Sequence, residues 1–319
     1  MNDTTTTATF TRTPAWQTLG HFVRKDNGQM TAAEAMTESG LAGWNVRKEA
    51  MFTAGGIEVP NRVATVRTDP ATGETKYLGY VGHNYTIQQN EETFDFLDSL
   101  VDVSGAHYDT AGYVKDGAKV FMALKMPEGI SVAGQDAHDL YLLATNGHDG
   151  FNAFTISVTP IRLACTNQLT MATRTARQQF KIRHTVNMAG RITEARHALE
   201  LTFDYMDAFA AELEQMLDAE FTNDQFDALT KALIPDAKSD NRQAAVDAKR
   251  SDLWHLFAEA DTNEFGRGTQ YAAYNAVTEY ADWIAPVRGD KDGTKRAARI
   301  MGGGAVQEFK DFALASIRG

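Results

Sequence analysis

The sequence predicts an α+β fold: an antiparallel sheet in the N-terminal half packed by a long helix, with a helical C-terminal region. Three observations carry that prediction. In the stretch 154–158, apolar Phe154, Ile156 and Val158 alternate with polar Thr155 and Ser157, the period of a strand in a sheet with one buried face. Across 191–217, Ile192, Ala195, Leu199, Phe203, Met206, Ala210, Leu213 and Leu217 recur at gaps of three and four, a single helical stripe. Strand-like segments come first and helical ones afterwards, which is the order of an α+β protein and not of a doubly wound parallel sheet.

The elements follow in order. Residues 57–68 mix β-branched Val59, Val63 and Val66 with polar side chains and end at Asp69-Pro70, a turn signal. Thr72-Gly73 then leads into a second strand over 76–81. In 91–101 the spacing of Phe94, Leu97 and Val101, widened by Phe96 and Leu100, predicts a short amphipathic helix. Strands over 107–114 and 119–126 flank Lys115-Asp116-Gly117, a hairpin turn. The clearest hairpin joins 140–145 to 153–159 through Asn146-Gly147-His148-Asp149-Gly150, and Pro160 is expected to end its second strand. Residues 166–176 read as a helix. Residues 179–183 read as a short strand with Phe180 and Ile182 inward and Lys181 and Arg183 outward. The long helix over 191–217 spans roughly 40 Å. Further helices fit 224–233, 241–260, 269–284 and 304–317. The domain reading is a flexible N-terminus (1–14), an α+β core (15–220) and a helical C-terminal region (221–319).

Composition excludes several classes. The 319 residues carry 31 Lys+Arg against 42 Asp+Glu, a formal charge of −11, so the chain is no globally basic nucleic-acid binder. One cysteine, Cys165, permits no internal disulfide and suits a reducing compartment. No apolar run reaches the roughly 18 residues that span a bilayer, and the Thr-rich start lacks the apolar core of a secretory signal. The expectation is a soluble protein with no membrane partner.

The charge is unevenly distributed. Residues 161–197 contain seven Lys or Arg and one acidic group, whereas the segments before and after it net −8 and −9. Arg162, Lys181 and Arg183 fall on strand-like segments, Arg174 and Arg177 near a helix end, and Arg191 at the start of the long helix. Asn167, Gln168, Gln178 and Gln179 are interleaved. Guanidinium and ammonium groups in such a groove meet a phosphate backbone while amides meet sugars or bases. Farther along, nine carboxylates and no Lys or Arg lie in 200–227. An acidic helix of this kind either faces solvent or docks beside a basic strand of another copy, making a ring or filament.

Motifs for catalysis are absent from the sequence. Gly302-Gly303-Gly304 is followed by Ala305-Val306, with no lysine to reach a phosphate, and neither H-E-x-x-H nor C-x-x-C occurs. Cys165, next to apolar Leu163 and Ala164, reads as a small buried hydrophobe. The eight histidines never pair at metal-binding helical spacing. His148-Asp149 lies where turn chemistry alone favours such residues, and Asp136, Asp139 and Asp149 are metal-ligand candidates by sequence proximity only. Tyr271, Tyr274, Tyr280 and Trp283, at helical spacing, read as core.

Several segments together resemble a known family. They are Tyr77-Leu78-Gly79-Tyr80-Val81-Gly82, Tyr85-Thr86-Ile87-Gln88-Gln89-Asn90-Glu91, Asn146-Gly147-His148-Asp149-Gly150, the run from Thr159 through Arg162 to Asn167, Arg183-His184-Thr185, Gly268-Thr269-Gln270-Tyr271 and the run from Asn275 to Tyr280. The chain is similar over nearly its whole length to a phage- and plasmid-encoded family catalogued as a domain of unknown function. That resemblance implies a mobile-element protein in the cytoplasm of a bacterial host. The order of strands, long helix and basic junction is also similar to phage single-strand annealing proteins of the Red-beta/RecT type. This second similarity implies single-stranded DNA as partner, homo-oligomeric rings or filaments, and no ATP or other cofactor.

The resulting expectation is a non-enzymatic single-stranded DNA binding and annealing protein of recombination or replication. Its nucleic-acid contacts are expected at Arg162, Asn167, Arg174, Arg177, Lys181, Arg183, His184 and Arg191. The alternatives are a metal-dependent nucleic-acid-processing enzyme built on His148, Asp149 and nearby carboxylates, and a structural or host-interaction protein that uses the acidic helix.

Overall fold

The computed structural model describes residues 13–23, 30–152, 154–164, 179–181 and 188–319. Its chain order opens with α1 (Ala15–Leu19), β1 (His21–Phe22) and α2 (Ala32–Glu38). A meander follows of β2 (Arg47–Phe52), β3 (Glu58–Thr68) and β4 (Thr75–Gly82), then α3 (Asn90–Phe94) and α4 (Phe96–Ser104). Next come β5 (His107–Val114), β6 (Lys119–Lys125), β7 (Ile130–Val132), β8 (Asp136–Gly147), β9 (Thr155–Arg162) and β10 (Gln179–Lys181). The remainder is helical: α5 (Met188–Asp218), α6 (Asn223–Leu233), α7 (Asp240–Ala258), α8 (Gln270–Glu279), α9 (Thr294–Gly302) and α10 (Ala305–Arg318). The architecture is α+β. No described helix is long and apolar enough to cross a membrane.

Among the described residues there are two antiparallel sheets, where the sequence pattern indicated one. The larger has the order β1-β5-β6-β8-β9-β10, with β7 paired to the start of β8. The smaller is β2-β3-β4. The β5–β6 turn is built from three successive residues at positive φ, Lys115, Asp116 and Gly117. Glycine is required at Gly117, because a Cβ there would stand 2.9 Å from the Trp44 ring and 3.0 Å from Arg67 Nε.

The main hairpin is longer than expected. Strand β9 does not stop at Pro160 but runs through it, with Pro160 opposite Leu140 and Arg162 opposite His138. The neighbouring β10 pairs only with Ser157, Ile156 and Thr155. At Pro160 β9 is therefore an edge among the described strands, where a missing N–H is tolerated. The alternation in β9 also reads differently in the folded chain. Ile156 and Val158 face the main core, as expected, but Ser157 and Thr159 on the opposite face are buried too.

Both faces of the large sheet are covered. On one, Met122, Leu124, Leu142, Ala144, Ile156 and Val158 pack with Phe94, Leu97, Leu100 and Val101 from α3 and α4 and with Tyr205, Phe209 and Leu213 of α5. On the other, Phe121, Ala123, Tyr141, Leu143 and Ile161 pack with Trp16 of α1 and with Ala297 and Met301 of α9. The helix expected over 91–101 is split into α3 and α4 at Asp95, and its five predicted apolar residues are all buried. The predicted helix over 269–284 is α8 followed by one π-helical turn, Tyr280–Ile284. Two of that turn's carbonyls are capped from α9: Arg299 Nη2 donates to Ala281 O at 2.7 Å and Arg296 Nη1 to Asp282 O at 3.0 Å. Tyr271, Tyr274 and Tyr280 are core, as their spacing indicated. The predicted helix at 166–176 and Cys165 lie outside the described residues.

Candidate nucleic-acid interface

The two sheets meet at the β8–β9 turn. Asp149 Oδ1 accepts from Phe151 N at 3.0 Å, a local turn that Asp favours. Gly150, at φ +81°, lies so close to Val81 that a Cβ would stand 2.7 Å from its Cγ1. Gly79 of β4 faces the same loop, and a Cβ there would stand 2.7 Å from Asp149 Cα. Two segments about seventy residues apart in sequence are thus packed backbone to backbone.

His148 is the buried pivot of this junction. Its N–H donates to Ala118 O at 2.8 Å and its carbonyl accepts from Thr65 Oγ1 at 2.7 Å. Asn90 Nδ2 donates to Leu41 O at 2.8 Å, so Asn90 Oδ1 is the acceptor facing His148 Nε2, also at 2.8 Å. Burial pushes the imidazole down to about 4, opposed by nearby Asp149 and reinforced by Arg67, so the ring is neutral at pH 7. Arg67 is itself buried, its guanidinium 4.0 Å from the Trp44 ring and 5.3 Å from that of Tyr113. It is a cation held by aromatic faces.

The outer face of the small sheet has the opposite character. In antiparallel pairing, directly opposed residues share a face. Tyr77 stands opposite Val66, Tyr80 opposite Ala64, and Arg62 opposite Gly82. Residues 62, 64 and 66 alternate along β3, so Arg62, Tyr80 and Tyr77 emerge on one side. A register shift between Thr65 and Val66 makes this happen, since an uninterrupted strand would send Tyr77 and Tyr80 to opposite faces. Tyr77 is 57%, Tyr80 46% and Phe151 75% exposed. The Phe151 ring meets Tyr80 edge-on at 6.4 Å between centroids, and the Arg62 guanidinium lies 5.9 Å over the other ring of the pair, Tyr80. Arg47, on the neighbouring strand, is paired with Glu49 at 2.7 Å. The turn holding Lys115 packs against β4, and Lys119 stands opposite Gly147 at the same end of the large sheet. Burial, and then the charge of Lys115, lower the Lys119 pKa.

The expected contact residues fall into two groups. Arg162 is described and is not at the surface. It is 1% exposed, with Nε 2.5 Å from Asp136 Oδ2 and Nη1 donating to Asn263 Oδ1 at 3.1 Å. Tyr271 donates its hydroxyl to the same carboxylate oxygen at 2.5 Å. This network ties the start of β8 and the end of β9 to α8, so Arg162 is an internal tie and its guanidinium is turned away from any phosphate. Asn167, Arg174, Arg177, Arg183 and His184 lie outside the described residues, as do the side chains of Lys181 and Arg191. The backbone of β10 is described at the sheet edge, with Lys181 opposite Thr155.

The carboxylates considered for a metal are not brought together. Asp136 opens the twelve-residue β8 and Asp149 lies two residues beyond its far end, while Asp139 pairs with Lys125 at 2.6 Å. No cluster of three or more His, Cys, Asp or Glu fit to hold a metal occurs among the described residues. Sequence reasoning missed the exposed rings, and only Phe151, directly after a turn motif, carried a readable signal. It also treated His148 as turn chemistry, whereas the ring is a buried structural group.

The fold and this junction define an α+β protein whose two sheets are locked by a glycine-rich turn. Residues 77–301 match the profile of the family described as Domain of unknown function (DUF932), and the chain belongs to that family. No curated protein and no solved structure matches the chain.

Proposed function

We propose that this protein binds and anneals single-stranded DNA without catalysis or ATP, as a phage- or plasmid-encoded factor of recombination or replication in the bacterial cytoplasm, assembled as a homo-oligomeric ring or filament. The observation that supports the reading is the position of β10, a described strand of the basic segment. Among the described strands β10 is an outer one of the large sheet, and Lys181 is in register with Thr155, the first residue of β9 after the turn that presents Phe151. A strand edge that carries cations suits a flexible polyanion, whose phosphate backbone the cations can follow. The phosphate contacts in this reading are Arg174, Arg177, Lys181, Arg183 and Arg191, with Asn167 and His184 beside them; Arg162 drops out because it is engaged internally.

Titration of a labelled oligothymidylate against the full chain at rising salt tests it. Binding should weaken with a log–log slope of about −0.7 per phosphate neutralised, and Arg174→Glu with Lys181→Glu should flatten that slope. Absence of binding at low salt overturns the proposal.

A further inference from the structure

We infer that Tyr77, Tyr80 and Phe151 form a stacking surface for the unpaired bases of a nucleic-acid strand, with Arg62 beside them as a phosphate contact. The inference rests on the single-strand reading above and names a subsite for it on the small sheet, away from the basic segment.

Scattered exposed apolar residues are ordinary on protein surfaces and signify nothing alone. Here three large rings gather on one side of a three-stranded sheet, two of them in edge-to-face contact, and the described helices leave that side open. The rings are also held in place. Tyr77 and Tyr80 stand on a paired strand. Phe151 follows a turn fixed by the Asp149 hydrogen bond and by Gly150 against Val81. A rigid ring loses little conformational freedom when a base stacks on it, so the free protein is already organised for contact.

Charge narrows the occupant. Arg62 has no carboxylate partner among the described residues, and its guanidinium is spread over Tyr80. Rings with an adjacent unneutralised cation match a polymer that alternates flat apolar bases with phosphates. A duplex hides its base faces in its own stack, whereas a single strand exposes them. On the same face Glu49, opposite Ala64, is paired with Arg47 at 2.7 Å and is not left to read a base edge, so the surface accepts any base.

The test uses the full chain and an oligothymidylate of about 20 nucleotides carrying one central 2-aminopurine, whose fluorescence is quenched by ring stacking. Wild type should bind and quench it. Tyr80→Ala with Phe151→Ala should abolish the quenching and weaken binding by about 5- to 150-fold per ring removed, while the salt slope persists. Tyr80→Phe with Phe151→Tyr should restore both. A strand of abasic phosphodiesters of equal length should bind wild type and the double-alanine variant alike.

If wild type binds with full affinity but the double-alanine variant does so equally, the stacking surface is overturned and DNA binding through the basic segment stands. Equal wild-type affinity for abasic and base-bearing strands overturns it in the same way. If wild type binds neither strand at low salt, both proposals fall. If the alanine variant instead changes the oligomeric state with oligonucleotide affinity unaltered, the rings are a protein-docking face and the inference is overturned.

Discussion

His148 Nε2 and Asn90 Oδ1 stand 2.8 Å apart, and this single hydrogen bond joins the β8–β9 turn to the first residue of α3. Because Asn90 spends its amide on Leu41 O, its carbonyl oxygen must accept, and the His148 tautomer with hydrogen on Nε2 is the one that fits. A protonated ring would keep that bond but would place a charge beside Arg67 in a dry junction. Acid is therefore the natural stress on this contact.

The acid response has a defined sign. Burial pushes both His148 and His138 from 6.5 down to about 4; Asp149 opposes and Arg67 reinforces the shift at His148, and Asp136 and Arg162 play those parts at His138. Both folded-state values lie below the unfolded one, so between pH 6.5 and 4 the unfolded chain binds more protons. Stability present above pH 6.5 is lost as pH falls through that window, by up to about 3 kcal/mol for each ring. Urea unfolding at pH 7, 6 and 5 should show the decline, and His148→Gln should reduce its slope by about half. Equal stability of the wild type at pH 7 and 5 would rule this out.

The fold class was legible because periodicity distinguishes strand from helix, even where it misjudges burial, as at Ser157, which is buried, and Phe203, which is exposed. The stripe from Ile192 to Leu217 and the alternation around Ile156 each appear in the element they indicated. The split into two sheets was not legible, because β2 is largely exposed and has no clean alternation. The candidate surface was hidden for a related reason. Tyr77 and Tyr80 share a face only through a register shift that pairing with β3 imposes. Arg162 misled because it sits on a strand within a basic stretch, and its partners Asp136, Asn263 and Tyr271 come from distant segments that charge counting cannot connect.

The Arg162 network separates structural from binding effects. Arg162→Met leaves the Asp136 carboxylate buried without its guanidinium and should cost about 3–5 kcal/mol. Tyr271→Phe keeps the ion pair and removes one hydroxyl donor, at about 1–2 kcal/mol. Chemical denaturation of the two variants gives the ranking. Folded Tyr271→Phe protein should bind oligothymidylate with wild-type affinity, since the network does not reach the surface. A smaller loss for Arg162→Met than for Tyr271→Phe would contradict the ion pair as the main tie.

Gly79 couples the interior junction to the exposed rings. A methyl group there would press 2.7 Å from Asp149 Cα and 2.8 Å from Asp149 Cβ, contacts with backbone that no rotamer change relieves. Gly79→Ala must therefore push β4 and the turn apart, at a cost of about 1–3 kcal/mol. Gly302, the last residue of α9, has open space around it, so Gly302→Ala should be neutral or stabilise by at most about 1 kcal/mol. The separation at Gly79 also moves Phe151 away from Tyr80, which the present geometry holds at 6.4 Å. Gly79→Ala should thus lose quenching of a 2-aminopurine oligonucleotide while the protein remains folded, and Gly302→Ala should keep it. Full quenching in the Gly79 variant would mean that the turn does not set the position of the ring.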